Sequence, residues 1–369
     1  MDLAGFSREI RKTGFVFEFD VAQALRRHGW NVITNKHYVD DLQDVVREID
    51  LIAYRTASVQ NCQVYTTLIL SCKKDNTHVW ALLTRDVDTK DPNADWNPVH
   101  VWSNDKVLSF MTNEPGWREQ YAAFLVHSGR HKLVEAPRDH VFAFQEMNRE
   151  SGKPHNDTNI FASITSLMKA QAYELKALPD RRHDPALYQF NLLSVVDSDL
   201  VRLHFTGSDI NPSIVDGATY FANYIIRKQQ TSARIYFVKA SSLEATINEF
   251  DLLHKANLEF FDSLRATFFR KIMADERRRN VLLPNFQHFI HWQLWLKLYR
   301  QFKIEIKAED VKLSWSSEQN RVEIELPIAQ EQIDALNGDV ETCGAASSGL
   351  KMMYRYEGPI AFSVEGLPF

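Results

Sequence analysis

Apolar residues recur at helical spacing over residues 13–29, TGFVFEFDVAQALRRHG, with Thr13 placed to cap the first turn and Gly29 to stop the last. The period then shortens. Strands are predicted at about 30–38 (WNVITNKHY), 45–55 (VVREIDLIAYR), 63–73 (QVYTTLILSCK) and 78–85 (HVWALLTR). The third is rich in β-branched and apolar residues, as a strand at the centre of a sheet is. Residues 86–117 are polar, with Pro92, Pro98 and Pro115 among Trp96, Trp102 and Trp117, and read as an irregular excursion with one short strand. A helix at about 118–129, a strand at 140–146 and a long amphipathic helix at about 157–178, ended by Pro179, follow. This order predicts an α/β fold with a mixed sheet flanked by helices.

Beyond it, residues 186–206 read as a hairpin turning at Asp197-Ser198-Asp199, with further strands at 218–227 and 233–239. Helical pattern fills 241–277 and 285–302, separated by Pro284. Strands are predicted near 310–315, 320–326 and 351–364, and the small polar segment 337–349 reads as a loop. The segment PDRRHDP at 179–185 is the best boundary, giving a domain over 1–180 and a second, α+β domain over 181–369. The second carries no chemical signature, and its expected role is target recognition, dimerisation or docking of a protein partner.

Composition narrows the class. The chain has 369 residues, 44% hydrophobic and 25% charged, the profile of a globular protein long enough for two domains. No apolar run approaches the roughly 20 residues that span a bilayer, and the N-terminus, MDLAGFSREIRKTG, is charged where a leader would be apolar. A cytoplasmic protein without a membrane partner is the expectation. Cys62, Cys72 and Cys343 give neither a disulfide framework nor a zinc-type pair. The net charge of −5 argues against nucleic-acid binding over the whole surface and leaves room for a local basic groove.

Three pieces carry candidate chemistry. Glu18 shares a helix face with Phe15, Ala22 and Leu25, which places a carboxylate on a mostly apolar stripe, where it either snorkels to water or takes a partner such as a metal ion. Asp50 shares a strand face with Glu48 and Ile52 and is flanked by Ile49 and Leu51. Ser71 and Lys73 share one face at the end of the apolar strand LILSCKK, with Cys72 on the other; a lysine there can steady a charged nucleophile or a phosphate.

Helix glutamate, strand aspartate, then acid-x-lysine on the next strand is the signature of the PD-(D/E)xK (restriction-endonuclease-like) nuclease superfamily. GFVFEFDVAQALRRHGWNV resembles the opening helix and strand of Mrr-type restriction endonucleases, REIDLIA their acidic strand, and LILSCKK their E-C-K strand with serine in place of glutamate. The resemblance covers about residues 13–85, to 178 if the later strand and helix complete the fold. It implies metal-assisted hydrolysis of phosphodiester bonds, in DNA rather than RNA, in a setting of restriction or antiviral defence. It further implies that Glu18, Asp50 and the carbonyl of Cys72 hold Mg²⁺ or Mn²⁺, while Lys73 orients water or steadies the developing charge. Ser71 departs from the pattern, because a hydroxyl does not replace a carboxylate's charge. Three readings follow: the site works with Glu18 and Asp50 alone, it borrows a charge from another acid such as Glu48 or Asp75, or it is a catalytically inactive nuclease fold kept for binding nucleic acid or protein.

Other features are weaker. Arg277, Arg278 and Arg279 read as a solvated helix face more readily than as phosphate contacts. His288 and His291 lack a third zinc ligand, and Phe289, Trp292, Trp295 and Tyr299 read as core. Neither a phosphate-binding glycine loop nor a nucleophile elbow is present.

Overall fold

The computed structural model describes residues 3–40, 45–88, 90–91, 95–130, 132–134 and 139–366. Pro92 of the predicted excursion lies outside them. The fold is α/β, and it divides into one unit of Met1–Asp105 with Pro115–Asp262 and another of Lys106–Glu114 with Ser263–Phe369.

The first unit opens with α1 (Leu3–Ile10) and α2 (Gly14–Arg27). Strands β1 (Asn31–Asp40), β2 (Val45–Val59) and β3 (Cys62–Lys74) then form an antiparallel meander. The chain continues through β4 (His78–Asp86) and β5 (His100–Ser103), then α3 (Lys106–Asn113) of the second unit, and returns with α4 (Trp117–His127), β6 (Asp139–Asn148) and α5 (Thr158–Arg181). Helix α5 leads to β7 (Ala186–Asp197), which runs parallel to β3 over twelve residue pairs, Gln63↔Ala186 to Lys74↔Asp197. After β8 (Leu200–Thr206), β9 (Asp209–Val215), β10 (Gly217–Ile226) and β11 (Gln229–Lys239) comes α6 (Leu243–Phe269). The main sheet has the order β1-β2-β3-β7-β11-β10, with β5 also on β7; a second sheet has the order β6-β4-β8-β9.

The two faces of β3 are both buried. Tyr65 and Ile69 pack with Ile164, Leu167 and Met168 of α5, while Thr66 on the opposite face meets His254 and Asn257 of α6. This explains the unbroken apolar run in its sequence.

Three expectations about connectivity change. Residues 186–206 are not a hairpin: β7 lies in the main sheet and β8 in the second, so the chain crosses between sheets at Asp197–Asp199. Strand β4 leaves the main sheet in the same way after β3. The boundary expected near 180–185 falls inside the first unit, because the β3–β7 ladder ties residues on both sides of it into one sheet. Polar punctuation at 179–185 marks a tight connection here, and Pro179 sits within the last turn of α5.

The second unit has α7 (Glu276–Phe302), the three-stranded sheet of β12 (Lys312–Ser316), β13 (Arg321–Leu326) and β14 (Ile360–Val364), and helices α8 (Gln330–Asn337) and α9 (Val340–Tyr354). Helix α7 runs through Pro284. The predicted loop at 337–349 is largely α9. Asp339 caps it by accepting from Thr342 N at 3.0 Å, and Gly349 meets Phe289, whose ring a Cβ there would approach to 2.8 Å. Small residues in this segment let two helices pack closely and do not mark a turn. Phe289, Trp292 and Tyr299 are exposed, with Trp292, Trp295 and Tyr299 stacked in series, so the expectation that they are core does not hold.

Candidate active site

The β2–β3 ladder runs from Val59↔Cys62 to Leu51↔Leu70 and stops. Beyond that point β2 continues only with β1, down to Val45, and β3 only with β7, up to Lys74. The strands splay, and the splay opens a gap at Asp50 on one side and Ser71, Cys72 and Lys73 on the other. A splayed ladder strands backbone donors. One is satisfied by a side chain, since Asp50 Oδ2 accepts from the Cys72 amide at 2.8 Å.

Helix α2 brings Glu18 to the same gap. Its buried face is Phe17, Val21, Ala22, Ala24 and Leu25, and Glu18 sits half-buried at the edge of that stripe. Phe15, expected on the stripe, is 73% exposed. Burial pushes the Glu18 carboxyl above its ordinary value, the neighbouring charges of Asp50 and Glu48 push it further, and Lys73 pulls it back. Those influences place Glu18, Glu48, Asp50 and Lys73 in one electrostatic neighbourhood. Among the described residues neither Glu18 nor Lys73 has a side-chain hydrogen bond or an ion pair, whereas Glu48 accepts from Asn35 Nδ2 at 3.0 Å.

Ser71 stands where the resemblance places an acid. It is 2% exposed and its Oγ has no hydrogen-bond partner. Its cross-strand neighbour Ser194 is satisfied by Ser163 Oγ of α5 at 2.8 Å. The Cys72 thiol is buried, and burial, followed by Asp50 and Glu18, drives its pKa well up, so its side chain is a neutral thiol.

A magnesium or manganese ion takes oxygen ligands and keeps several waters. Glu18 and Asp50 are carboxylates of that neighbourhood, with one Asp50 oxygen taken by the Cys72 amide, while the Ser71 hydroxyl is buried beside Ser194 of β7. Two carboxylates with water suit such an ion chemically, but among the described residues Glu18 and Asp50 are in neither of the groups of three ligand-type side chains whose ligand atoms lie within 4.8 Å of one another.

Asp75 does not lend its charge to the gap. Its carboxylate caps its own turn, accepting from Thr77 N at 2.9 Å and His78 N at 2.8 Å; burial raises its pKa, but these bonds and those from the Thr77 and His78 side chains bring it below the ordinary value. Sequence reading missed two groups of ligand-type side chains: Asp75 with His78 and Glu146, and Asp86 with Asp139 and His204. Neither is free. Both Glu146 oxygens hold Asn159, at 2.7 and 2.9 Å, and Asp139 is paired with Arg202 at 2.7 Å. Only the pairing of β4 with β6 and β8 brings these residues together, and no local pattern encodes that pairing.

The weaker candidates resolve as structural. Arg277 pairs with Glu114, Arg278 bonds Thr267 O, and buried Arg279 bonds Leu313 O. His291 Nε2 meets Ile306 O at 2.9 Å. Among the described residues no helix is long and apolar enough to cross a membrane. No family model, curated protein or solved structure matches this chain significantly.

Proposed function

We propose that the first unit is a metal-dependent nuclease of the restriction-endonuclease-like type, hydrolysing phosphodiester bonds in DNA. The observation that carries this reading is the gap between β2 and β3. The three positions picked out by the motif, Glu18, Asp50 and Lys73, belong to three different elements; Asp50 and Lys73 both act electrostatically on Glu18, and the Cys72 amide holds the Asp50 carboxylate. Glu18 and Asp50, with the Cys72 carbonyl, would hold Mg²⁺ or Mn²⁺. Such an ion, when bound, supplies positive charge at the phosphoryl oxygens and acidifies a water. Lys73, with no carboxylate partner among the described residues, is available to orient that water or a phosphoryl oxygen. Partial burial keeps the Glu18 carboxyl proton-hungry, so it gains most from a cation placed beside it.

The test is cleavage of duplex DNA, single-stranded DNA and RNA with Mg²⁺ or Mn²⁺, comparing the wild type with Asp50→Ala and Lys73→Ala. Loss of cleavage in both variants supports the assignment, and unchanged cleavage in both overturns it.

One observation favours a second reading, a catalytically inert nuclease fold that binds nucleic acid or a protein. Ser71 is neutral, buried and unbonded where an anionic ligand is expected. Titration with Mn²⁺ separates the two. Tight binding that is lost in Glu18→Ala and Asp50→Ala counts for the enzyme, and absence of binding counts for the inert fold.

A further inference from the structure

At the other end of α5, away from the gap, the same sheet encloses a cavity of about 270 Å³. Its walls are aromatic and apolar: Tyr54 and Tyr65 from β2 and β3, Tyr188 and Phe190 from β7, and Ile52. Tyr65 and Tyr188 stack in parallel, centroids 4.2 Å apart and planes within 2°, and the Arg182 guanidinium lies over both rings at 5.1 and 5.5 Å. Arg182 has no carboxylate partner among the described residues, although its backbone is held: its carbonyl accepts from Asn104 Nδ2 at 3.1 Å.

Two more cations stand at the cavity, Lys36 and Arg181, and both grip the one carboxylate there, Glu174, at 2.7 Å each. Three cations against one carboxylate leave the lining positive. This excess matters because α5 ends here, and the carbonyls of a helix C-terminus repel anions; Arg181 covers one of them, Ala177 O, at 3.2 Å. Thr67 forms part of the lining with its Oγ buried and unbonded. A buried hydroxyl without a partner is costly and signals a missing one.

We propose that this cavity binds a nucleoside phosphate. The ring of the base lies against the aromatic wall, where a flat heteroaromatic group gains both burial and stacking. Thr67 Oγ takes one of its edge hydrogen bonds, and the phosphate meets Arg182 at the mouth, a fork of donors suited to phosphate oxygens. The volume holds a base and its sugar and leaves the charge outside. The ligand is either a free mononucleotide or the terminal nucleotide of a single strand. The site is separate from the β2–β3 gap and does not depend on cleavage there.

The experiment measures thermal stabilisation and calorimetric binding in EDTA, so that no metal-dependent chemistry intervenes. The probes are the four common 5′-mononucleotides, their nucleosides, and a short single-stranded oligonucleotide with a terminal phosphate. The expected result is binding of at least one mononucleotide, weakened tenfold or more in Arg182→Ala, with the matching nucleoside much less affected, and weakened several-fold in Thr67→Val. Binding is unchanged in Asp50→Ala, which separates this site from the gap. If the oligonucleotide binds with that Arg182 dependence and the mononucleotides do not, the occupant is a strand end. The proposal is overturned if no probe binds at millimolar concentration, or if Arg182→Ala binds as the wild type does. Arg182 is exposed, and its loss leaves the core intact.

Discussion

The two faces of β3 treat buried polar groups in opposite ways. Toward α6, Thr66 Oγ meets His254 Nδ1 at 3.0 Å and Asn257 Nδ2 at 2.8 Å; Asn257 also takes the Tyr121 hydroxyl at 2.6 Å and reaches Gln189 Oε1 at 3.2 Å. Gln189 in turn exchanges hydrogen bonds with Asn191 at 2.8 and 3.0 Å. Toward α5, on the same strand, Thr67 Oγ and Ser71 Oγ are buried and bond nothing. A matched network fixes one packing and gives the interior a single answer, whereas unmatched groups weaken the fold and persist where something else uses them. By that criterion the α6 face is architecture, and the α5 face carries both the gap at Asp50 and the aromatic cavity.

The contrast breaks first under Asp50→Ala and Lys73→Ala. If the gap is an active site, each should lower metal-dependent cleavage roughly 100-fold or more, the usual consequence of removing a positioned charge, while stability changes little in Lys73→Ala and falls by about 1–3 kcal/mol in Asp50→Ala, which strands the Cys72 amide. Steady-state cleavage rates measured beside melting curves check both halves. A large loss of stability with activity retained would return the gap to architecture.

The opposite profile belongs to the α6 face. Asn257→Ala strands Tyr121 and Thr66 and should cost about 2–4 kcal/mol in denaturant unfolding, with cleavage per folded molecule unchanged. The same network gives a pH signature. Burial, with the charge of Arg55 behind it, depresses His254 to about 4, so the folded state holds it neutral. Its contribution is complete above its ordinary value near 6.5 and is lost as pH falls from there toward 4, a span worth about 3 kcal/mol. Unfolding free energies of the wild type between pH 7 and 4 should fall more steeply than those of His254→Gln.

How far this contrast could be read beforehand depends on the range of the pattern that encodes it. The meander β1–β3 and the helix carrying Glu18 are local, and the spacing of apolar residues in LILSCKK and REIDLIA places Asp50, Ser71 and Lys73 correctly on their strands. What ladder each strand joins is not local. HVWALLTR alternates equally well for the main sheet or the second, so the crossings at β4 and β8 stay hidden. So do the meetings of His78 with Glu146 and of Tyr65 with Tyr188, which need the β4–β6 and β3–β7 registers. The segment CGAASSG hides its buried stripe because the inward positions Ala346 and Gly349 are small, and at Gly349 a larger residue would run into Phe289.

Ser71→Ala sharpens the comparison at smaller scale. Removing an unbonded buried hydroxyl should leave stability unchanged or raise it by up to about 1 kcal/mol, and chemical denaturation reads this directly. Thr66→Val, the equivalent change on the matched face, should instead destabilise. If Ser71→Ala destabilises as much as Thr66→Val, the hydroxyl has a structural partner and the argument from orphaned groups fails at this position.

The smallest effect is expected from Glu18→Gln, and its sign is the informative part. Burial raises the Glu18 carboxyl, with Asp50 and Glu48 adding to it, so the fold prefers the protonated acid. Stability from that preference is present below the ordinary carboxylate value and is lost as pH rises through the raised one. At pH 7 the wild type therefore holds an unpaired carboxylate that glutamine lacks, and Glu18→Gln should melt slightly higher. The difference should close as pH falls below about 4.5, where both chains are neutral at this position. Millimolar Mn²⁺ should reverse the order at pH 7, because a cation in the gap binds the folded wild type and not the glutamine variant, and ligand linkage then raises only the wild-type melting temperature. An acid that destabilises the apo fold and stabilises the metal-loaded one is acting as a ligand. If Mn²⁺ moves both proteins equally, Glu18 is a half-buried carboxylate at a helix edge and the gap does not hold its metal through it.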